Sequence, residues 1–276
     1  MQKKYFFFDI DGTLTSVKNG LVPNSTKKAV QLAKQQGHFV AIATGRPYYF
    51  TKAVAEEVGI EHLVCNGGND LYVNHECIRH TSLDRAFSLA VIDECLKKDI
   101  SFCVSVEDSL KRITHNDRFT KDLYGDPCIG DLEIIENIDY HQFPQFERII
   151  IAMPAGREKT LDVFQKYPLP MRYHPNSCII EPDHKDEGIR DMIKQLKGKH
   201  EDVVVFGDGR NDIKMFQVAA FSIAMGNAID EVKNVADYVT KDSDQDGIYE
   251  AMKHLDGYRN VIMNSFDDIQ RFIHII

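Results

Sequence analysis

The first long apolar run of the chain ends abruptly in two carboxylates. The run comprises Tyr5 to Phe8, and it is followed by Asp9, Asp11 and Gly12. An unbroken apolar run of this length is typical of a strand that is buried on both faces, as in a parallel sheet. Two carboxylates at the end of such a strand resist burial unless a cation or a proton lies between them. On its own, the stretch is equally compatible with a solvated strand end at which one carboxylate caps a turn.

Apolar runs and amphipathic stretches then alternate along the chain. Residues 24–37 have apolar positions at helical spacing, 38–47 form a second buried run, 48–59 predict a second helix, and 62–68 predict a short strand. The order strand, helix, strand, helix, strand predicts an α/β fold with a doubly wound, mostly parallel, Rossmann-like sheet. The same rhythm returns from about residue 183.

The pattern between these two parts is different. A hairpin is predicted around Asn74 and His75, and residues 82–182 predict strands interleaved with single helices, one of them over 157–167. Such a mixture is typical of an α+β domain. The resulting prediction is an α/β core domain formed by two separate segments, with an α+β cap domain inserted between them. The core segments are residues 1–81 and 183–276, and the cap is residues 82–182.

Composition and charge narrow the class of protein. The chain has 276 residues, of which 43% are hydrophobic and 27% charged, as in soluble globular proteins. Its net charge of -9 disfavours binding to nucleic acid or to an anionic membrane. The six cysteines have no metal-binding or disulfide spacing, which is typical of reduced thiols. We therefore expect a cytoplasmic protein, a monomer or a weak homodimer, without a membrane span.

Four polar stretches lie where predicted strands end or a helix begins. They are DIDGT (9–13), ATGR (43–46), HKDEGI (184–189) and GDGRND (207–212). Ligands of an open α/β sheet bind at the carboxyl ends of its strands, so we expect these stretches to meet. Asp9, Asp11, Asp208 and Asp212 would then form a cluster of hard oxygen atoms, which suits Mg²⁺.

The same stretches also supply groups that bind anions. The Thr44 hydroxyl and the free N–H groups at the start of the next helix form an anion site, and Lys185 adds a positive charge. An aspartate nucleophile beside Mg²⁺ and an anion site is typical of phosphoryl transfer. The acyl phosphate that it forms divides one difficult displacement into two easier ones.

These motifs, in this order, resemble those of the haloacid dehalogenase-like (HAD) hydrolases. The inserted segment resembles the C2-type cap of Cof-type sugar phosphatases, subfamily IIB, and the resemblance covers essentially the whole chain. It implies that Asp9 is the nucleophile and a Mg²⁺ ligand. It also implies that Asp11 is the general acid/base and binds the metal through its carbonyl oxygen. Asp208 would bind the metal through its side chain. Asp212 would contact these ligands and orient them without binding the metal itself.

The resemblance also implies a phosphate-binding set: Ile10 through its backbone, Thr44, Gly45, Lys185 and Asn211. Arg46 either contacts the substrate or braces the phosphate loop. The chain departs from the family pattern at one place. Many relatives have Lys directly before Gly, whereas here Glu187 precedes Gly188 and Lys185 lies three positions before the glycine. We assign the cationic role to Lys185.

The combined prediction is a Mg²⁺-dependent phosphatase, a phosphoric monoester hydrolase. It acts on a small phosphorylated metabolite, for which a sugar phosphate is the first expectation, through an aspartyl-phosphate intermediate. A phosphomutase of the same superfamily would share this chemistry but would keep the phosphorylated intermediate. A non-catalytic sensor of phosphorylated metabolites would have little reason to keep both Asp9 and Asp11.

The sequence leaves the role of two further sets of polar residues undecided. Residues 242–253 begin like a calcium-binding EF-hand loop, but Lys253 stands where that loop requires a glutamate. We prefer Asp246 as the N-cap of a helix. Several polar residues of the predicted cap could set specificity, and the sequence does not rank them: His115, Asn116, Arg118, Arg172, His174 and Asn176.

Overall fold

A computed structural model describes residues 2–128 and 130–255, which fold into two compact units. Each unit has its own sheet and its own apolar core. The first unit is built from residues 2–45, 51–78 and 184–255, and the second from residues 46–50 and 79–183. The predicted core domain extends to residue 276, and positions 256–276 lie outside the described residues. No helix in the described part of the chain is long and apolar enough to cross a membrane.

The part of the first unit that the structure describes contains an eight-stranded sheet. Its strands are β1 (Tyr5–Phe8), β2 (Phe39–Ala43), β3 (Leu63–Cys65), β4 (Asp70–Val73), β5 (Glu76–Arg79), β12 (Val203–Gly207), β13 (Phe221–Ala224) and β14 (Tyr238–Val239). They lie in the order β14-β13-β12-β1-β2-β3-β4-β5. The six strands from β14 to β3 are parallel, and β4 is antiparallel to β3. The predicted α/β class with a mostly parallel core sheet is therefore confirmed.

Helices precede, connect or follow the parallel strands of the first unit. They are α1 (Asn24–Gln35), α2 (Tyr48–Val58), α5 (Lys185–Gln195), α6 (Ile213–Val218) and α7 (Asp230–Lys233), and α8 begins at residue 247 and continues at least to 255. The predicted hairpin is also present, because Asn74 and His75 form the turn between β4 and β5 with φ of 51° and 65°. Asn is among the residues that adopt this left-handed conformation most readily.

The central position of β1 explains its apolar sequence. The strand lies between β2 and β12, and all four of its side chains are buried. Tyr5 and Phe7 belong to the core cluster that includes residues of α5, whereas Phe8 stacks on Phe206 at 4.8 Å between ring centroids. The sequence-based prediction of a strand buried on both faces is confirmed.

Among its described residues, the second unit contains a six-stranded sheet and two α-helices. The strands are β6 (Phe102–Ser105), β7 (Lys111–Thr114), β8 (Asp131–Ile134), β9 (Arg148–Ala152), β10 (Met171–His174) and β11 (Ser177–Ile180), in the order β10-β11-β9-β6-β7-β8. The helices are α3 (Arg85–Lys97) and α4 (Arg118–Asp122). Apolar residues of α3 pack with Phe102, Ile149 and Ile151 in the main core of this unit.

The helix predicted over residues 157–167 is wrong. The structure has two short helical turns, Glu158–Thr160 and Asp162–Gln165, separated by Leu161. Leu161 has extended backbone angles, φ -90° and ψ 119°, and its side chain is fully buried in the core of the second unit. Val163 and Phe164 lie in the same core, so tertiary packing of this stretch overrides its helical propensity.

Candidate active site

The carboxyl ends of three neighbouring strands bring the predicted motifs to one edge of the first sheet. Asp9 follows β1, Thr44 follows β2 and Asp208 follows β12. In the sheet, Phe8 pairs with Ile42 on one side and with Phe206 on the other, so the three strand ends are level.

Three carboxylates form a compact group at this edge. Asp9, Asp208 and Asp212, hereafter the carboxylate cluster, each offer an oxygen atom, and these atoms all lie within 4.8 Å of one another. Lys185 enters the same group: its Nζ lies 2.7 Å from Asp9 Oδ1 and 2.7 Å from Asp212 Oδ1. Lys185 is only 1% exposed, so a full positive charge is buried between two of the three carboxylates.

Both side-chain oxygen atoms of Asp212 accept hydrogen bonds from other groups of the protein. Oδ1 accepts from Lys185, and Oδ2 accepts the N–H groups of Asp208 and Gly209 at 2.9 and 3.0 Å. Asp212 therefore holds the loop that carries Asp208 and also orients the lysine.

The start of α5 places Lys185 at the cluster. A Cβ atom at Gly188 would lie 2.5 Å from Val64 Cγ1 and 2.9 Å from Gly68 Cα, so a side chain at this position would prevent the close packing of α5. The N–H of His184 also donates to the Gly67 carbonyl oxygen at 2.6 Å. The glycine that lies three positions after Lys185 thus serves helix packing, while the lysine itself reaches Asp9.

Burial and mutual repulsion raise the pKa values of two carboxyl groups of the cluster. The pKa of Asp9 is raised to about 8, first by burial and then by the charge of Asp212, while Lys185 acts in the opposite direction. Burial also raises the pKa of Asp208 to about 7, again with Asp212 as the next cause. The pKa of Lys185 is raised despite its burial, because Asp212 and Asp9 favour the charged ammonium. A further cation would suit this site.

The donor set fits a hard divalent cation. Asp9 and Asp208 offer carboxylate oxygens with no histidine or cysteine among the clustered groups, and Mg²⁺ prefers such ligands. Gly12, with φ of 74°, allows the loop after β1 to approach Asp208: a Cβ atom there would lie 2.2 Å from Asp208 Oδ2. The loop after β1 therefore leaves room for the Asp208 carboxylate only because position 12 has no side chain.

The remaining predicted residues lie as follows. Asp11 is exposed, whereas Ile10, which stands between Asp9 and Asp11 in the sequence, is buried. Thr44 is buried, and a Cβ atom at Gly45 would lie 3.8 Å from the side-chain nitrogen of Asn211, so these two are neighbours. Arg46, the residue after Gly45, groups with the second unit.

Two of the polar residues noted in the predicted cap have ion-pair partners within the second unit. Arg118 pairs with Asp99, and Arg172 pairs with Glu158. In the EF-hand-like segment, the Asp244 carboxylate accepts from the Ser16 hydroxyl. Asp246 stands just before α8, and its carbonyl oxygen accepts the Glu250 N–H.

The sequence analysis missed one residue of the edge, Asn227. Its side chain contacts both Asp208 and the Gly12 carbonyl. A signal was available, because Asn227 lies in the loop after β13, another parallel strand whose carboxyl end is at the same edge.

Known proteins resemble this chain over most of its length. The profile of the haloacid dehalogenase-like hydrolases matches residues 6–252. A putative phosphatase of Bacillus subtilis, YkrA, is 30% identical over 92% of this chain and 98% of its own. A phosphoglycolate phosphatase of Nitrosopumilus maritimus is 27% identical over 92% of this chain and 97% of its own.

Solved structures show the same likeness. A hypothetical protein of Geobacillus kaustophilus superposes with a TM-score of 0.80 at 30% identity, over 92% of this chain and 99% of that protein. A protein described as a HAD subclass IIB sugar phosphatase superposes with a TM-score of 0.72 at 30% identity, over the same shares of the two chains. The resemblance inferred from the motifs is confirmed: the chain belongs to the haloacid dehalogenase-like hydrolases.

Proposed function

We propose that this hydrolase is a Mg²⁺-dependent phosphatase that acts on a small phosphorylated metabolite, with a sugar phosphate as the first expectation. The observation that carries the proposal is the carboxylate cluster at the strand ends, with Asp9 and Asp212 buried and Asp208 half-buried, in which Lys185 contacts Asp9 and Asp212. The chain is a phosphoric monoester hydrolase that works through an aspartyl-phosphate on Asp9.

In the first half-reaction, a carboxylate oxygen of Asp9 attacks phosphorus. A bond forms between that oxygen and phosphorus while the bond from phosphorus to the leaving oxygen breaks, and Asp11 gives the leaving oxygen a proton. Lys185, 2.7 Å from Asp9 Oδ1, favours the ionised nucleophile and orients it.

In the second half-reaction, the roles are reversed. Asp11, now a carboxylate, takes a proton from a water molecule that attacks phosphorus, and the Asp9 oxygen leaves. The products are inorganic phosphate and the regenerated Asp9 carboxylate. The exposure of Asp11 is consistent with this role, because the residue must meet both the leaving group and water.

Asp9, Asp208 and the Asp11 carbonyl oxygen would hold the Mg²⁺. Asp212 would orient these ligands through its hydrogen bonds to Lys185 and to the loop of Asp208. When bound, Mg²⁺ offsets the repulsion between the carboxylates and the phosphate dianion. Lys185, Thr44, Gly45, Asn211 and the Ile10 backbone would bind the phosphoryl group. We also propose that the second unit, with the predicted bounds 82–182, is a cap domain that sets specificity together with Arg46.

The names of the relatives support a small phosphorylated substrate. Besides phosphoglycolate phosphatases, they include phosphatases of 5-amino-6-(5-phospho-D-ribitylamino)uracil from Bacillus subtilis, at 26% identity for one of them. No disulfide joins any of the six cysteines, all of which are among the described residues, and this supports a reducing, cytoplasmic location.

A phosphate-release assay tests the proposal. The purified chain is incubated with p-nitrophenyl phosphate with and without Mg²⁺, and then with a panel of phosphorylated metabolites. We expect Mg²⁺-dependent release of inorganic phosphate, which would exclude a non-catalytic sensor. A requirement for a bisphosphate activator, with transfer instead of release, would favour the phosphomutase. No release from any compound at any Mg²⁺ concentration would contradict the proposed function.

A further inference from the structure

Asn227 joins three parts of the active-site edge through one side-chain amide. Its Nδ2 donates to the Gly12 carbonyl oxygen at 2.9 Å and to Asp208 Oδ2 at 3.2 Å. Its Oδ1 accepts the N–H of Ser243 at 2.8 Å. A side-chain amide has two N–H donors and one carbonyl acceptor, so these three contacts engage both ends of the group.

We propose that Asn227 is a positioning residue that holds the Asp208 carboxylate in its metal-binding orientation. The inference rests on the proposed function, because it requires Asp208 to bind Mg²⁺. Carboxylates that bind metals are usually themselves hydrogen-bonded, and loss of such a partner typically lowers metal affinity or activity 10–100-fold.

The contact with Ser243 determines which end of the amide faces Asp208. Because the Ser243 N–H requires an acceptor, Oδ1 is turned toward it and Nδ2 is turned toward Asp208. Ser243 is held in turn by the loop after β1: its hydroxyl accepts the Val17 N–H at 3.3 Å, and the neighbouring Asp244 accepts from Ser16. The acidic segment that resembles an EF-hand loop thus supports the active-site edge.

The Gly12 backbone and the Asn227 amide both border the Asp208 carboxylate. A Cβ atom at Gly12 would lie 2.2 Å from Asp208 Oδ2 and 3.1 Å from Asn227 Nδ2, so the three groups are in tight contact. The amide is neutral, and it orients the carboxylate without cancelling the negative charge that a cation needs. A lysine or arginine at this position would compete with the metal.

Variants at position 227 test the proposal. Asn227→Ala removes the amide, and Asn227→Leu removes its hydrogen bonds while keeping a similar volume. We expect the dissociation constant for Mg²⁺, measured by isothermal titration calorimetry, to rise at least about tenfold in both. The Mg²⁺ concentration for half-maximal phosphatase activity should rise in parallel, and kcat should recover at saturating Mg²⁺, which a general loss of folding would not produce.

Gln2→Ala is the matched control. The Gln2 amide donates to the Asp202 carboxylate at 2.7 Å, in the same unit but before β12 and thus away from the cluster. Its Mg²⁺ affinity should equal that of the wild type. If folded Asn227 variants kept wild-type Mg²⁺ affinity while the wild type was an active phosphatase, this inference would be wrong and the proposed function would stand.

A measurement on the wild-type chain covers the case in which neither variant folds. In a ¹⁵N NMR titration with Mg²⁺, the side-chain NH₂ resonances of Asn227 should move, whereas those of Gln2 should not. Resonances of Asn227 that stay in place while Mg²⁺ binds would overturn the inference. A wild-type chain that neither binds Mg²⁺ nor releases phosphate would overturn both the inference and the proposed function.

Discussion

The two units differ in how they bury charge. In the second unit, Arg148 and Glu181 form an ion pair at 2.6 Å with side chains only 9% and 7% exposed, one positive charge against one negative. In the first unit, Lys185 faces the carboxylate cluster, one ammonium against three carboxylates. A buried surplus of negative charge is unfavourable unless a cation or protons offset it.

The comparison separates a structural use of charge from a functional one. In the Arg148–Glu181 pair the two charges balance each other, and the Tyr173 hydroxyl donates a further hydrogen bond to Glu181. The carboxylate cluster is incomplete by itself, since burial raises the pKa of Asp9 to about 8 and that of Asp208 to about 7. We infer that the surplus is retained because it binds a metal and supplies a nucleophile.

The largest expected effect follows from removing the attacking charge. Asp9→Asn keeps the size of the side chain but closes the covalent route, so we expect kcat for p-nitrophenyl phosphate to fall at least about 10³-fold. Asp202→Asn is the control, because Asp202 is also a buried aspartate of the first unit but binds Lys4 and Gln2 before β12. If the Asp9 variant kept the wild-type kcat, the carboxylate cluster would not supply the nucleophile, and its charge would have no catalytic use that the Arg148–Glu181 pair lacks.

The next effect concerns the metal. Asp208→Ala takes one carboxylate from the cluster, so the Mg²⁺ concentration that gives half-maximal activity should rise at least about tenfold. Chelation of Mg²⁺ by EDTA should abolish wild-type activity, and added Mg²⁺ should restore it. Steady-state kinetics across a Mg²⁺ series measures both, and equal Mg²⁺ curves for variant and wild type would contradict the assignment of Asp208.

A third test concerns the matched pair of the second unit. Arg148→Met leaves the Glu181 carboxylate buried without its ion-pair partner, and we expect it to lower the free energy of unfolding by about 3–5 kcal/mol. The double variant Arg148→Met/Glu181→Leu should recover most of that loss, because an apolar pair can replace a buried ion pair at little cost. Denaturant unfolding measures both. A double variant as unstable as the single one would show that this pair is more than a structural element.

The smallest effect is a pH dependence in the second unit. Burial acts to raise the pKa of Glu158, but hydrogen bonds from the backbone and from Arg172 outweigh it, so the net shift is downward. A lowered pKa in the folded state adds stability above the ordinary value of 4.5, and that stability is lost as the pH falls through the lowered value. Glu158→Gln should therefore lose less stability than the wild type on acidification below about pH 4.5. Thermal unfolding across this pH range measures the difference.

Much of the first unit can be predicted from its sequence because its signals are local. The apolar run of β1 identifies a strand buried on both faces, and polar residues directly after strands identify the binding edge. In the second unit, β8 and β10 lie at the two edges of the sheet, and neither was predicted. Residues 157–167 have helical propensity, but the stretch packs into the core as two short turns on either side of the extended Leu161.

The same limit applies to the site. Asp9, Lys185 and Asp208 were predicted because each lies in a motif at a strand end or a helix start. Asn227 was missed because its partners, Gly12 and Asp208, lie 215 and 19 positions away, and no motif connects them. Its position after β13 was a usable signal, but only the strand order shows that β13 lies beside β12.

Direct detection of the phosphorylated aspartate is the measurement that tests the account most closely. The Asp11→Asn variant is mixed with p-nitrophenyl phosphate and Mg²⁺, because loss of the base should slow hydrolysis of the phosphoenzyme while a good leaving group still departs. The reaction is quenched in acid, and the peptide of residues 5–18 is analysed by mass spectrometry. We predict one added phosphoryl group on Asp9, absent from the Asp9→Asn variant. Phosphate release without any phosphorylated Asp9, or with the phosphoryl group on another residue, would contradict the account.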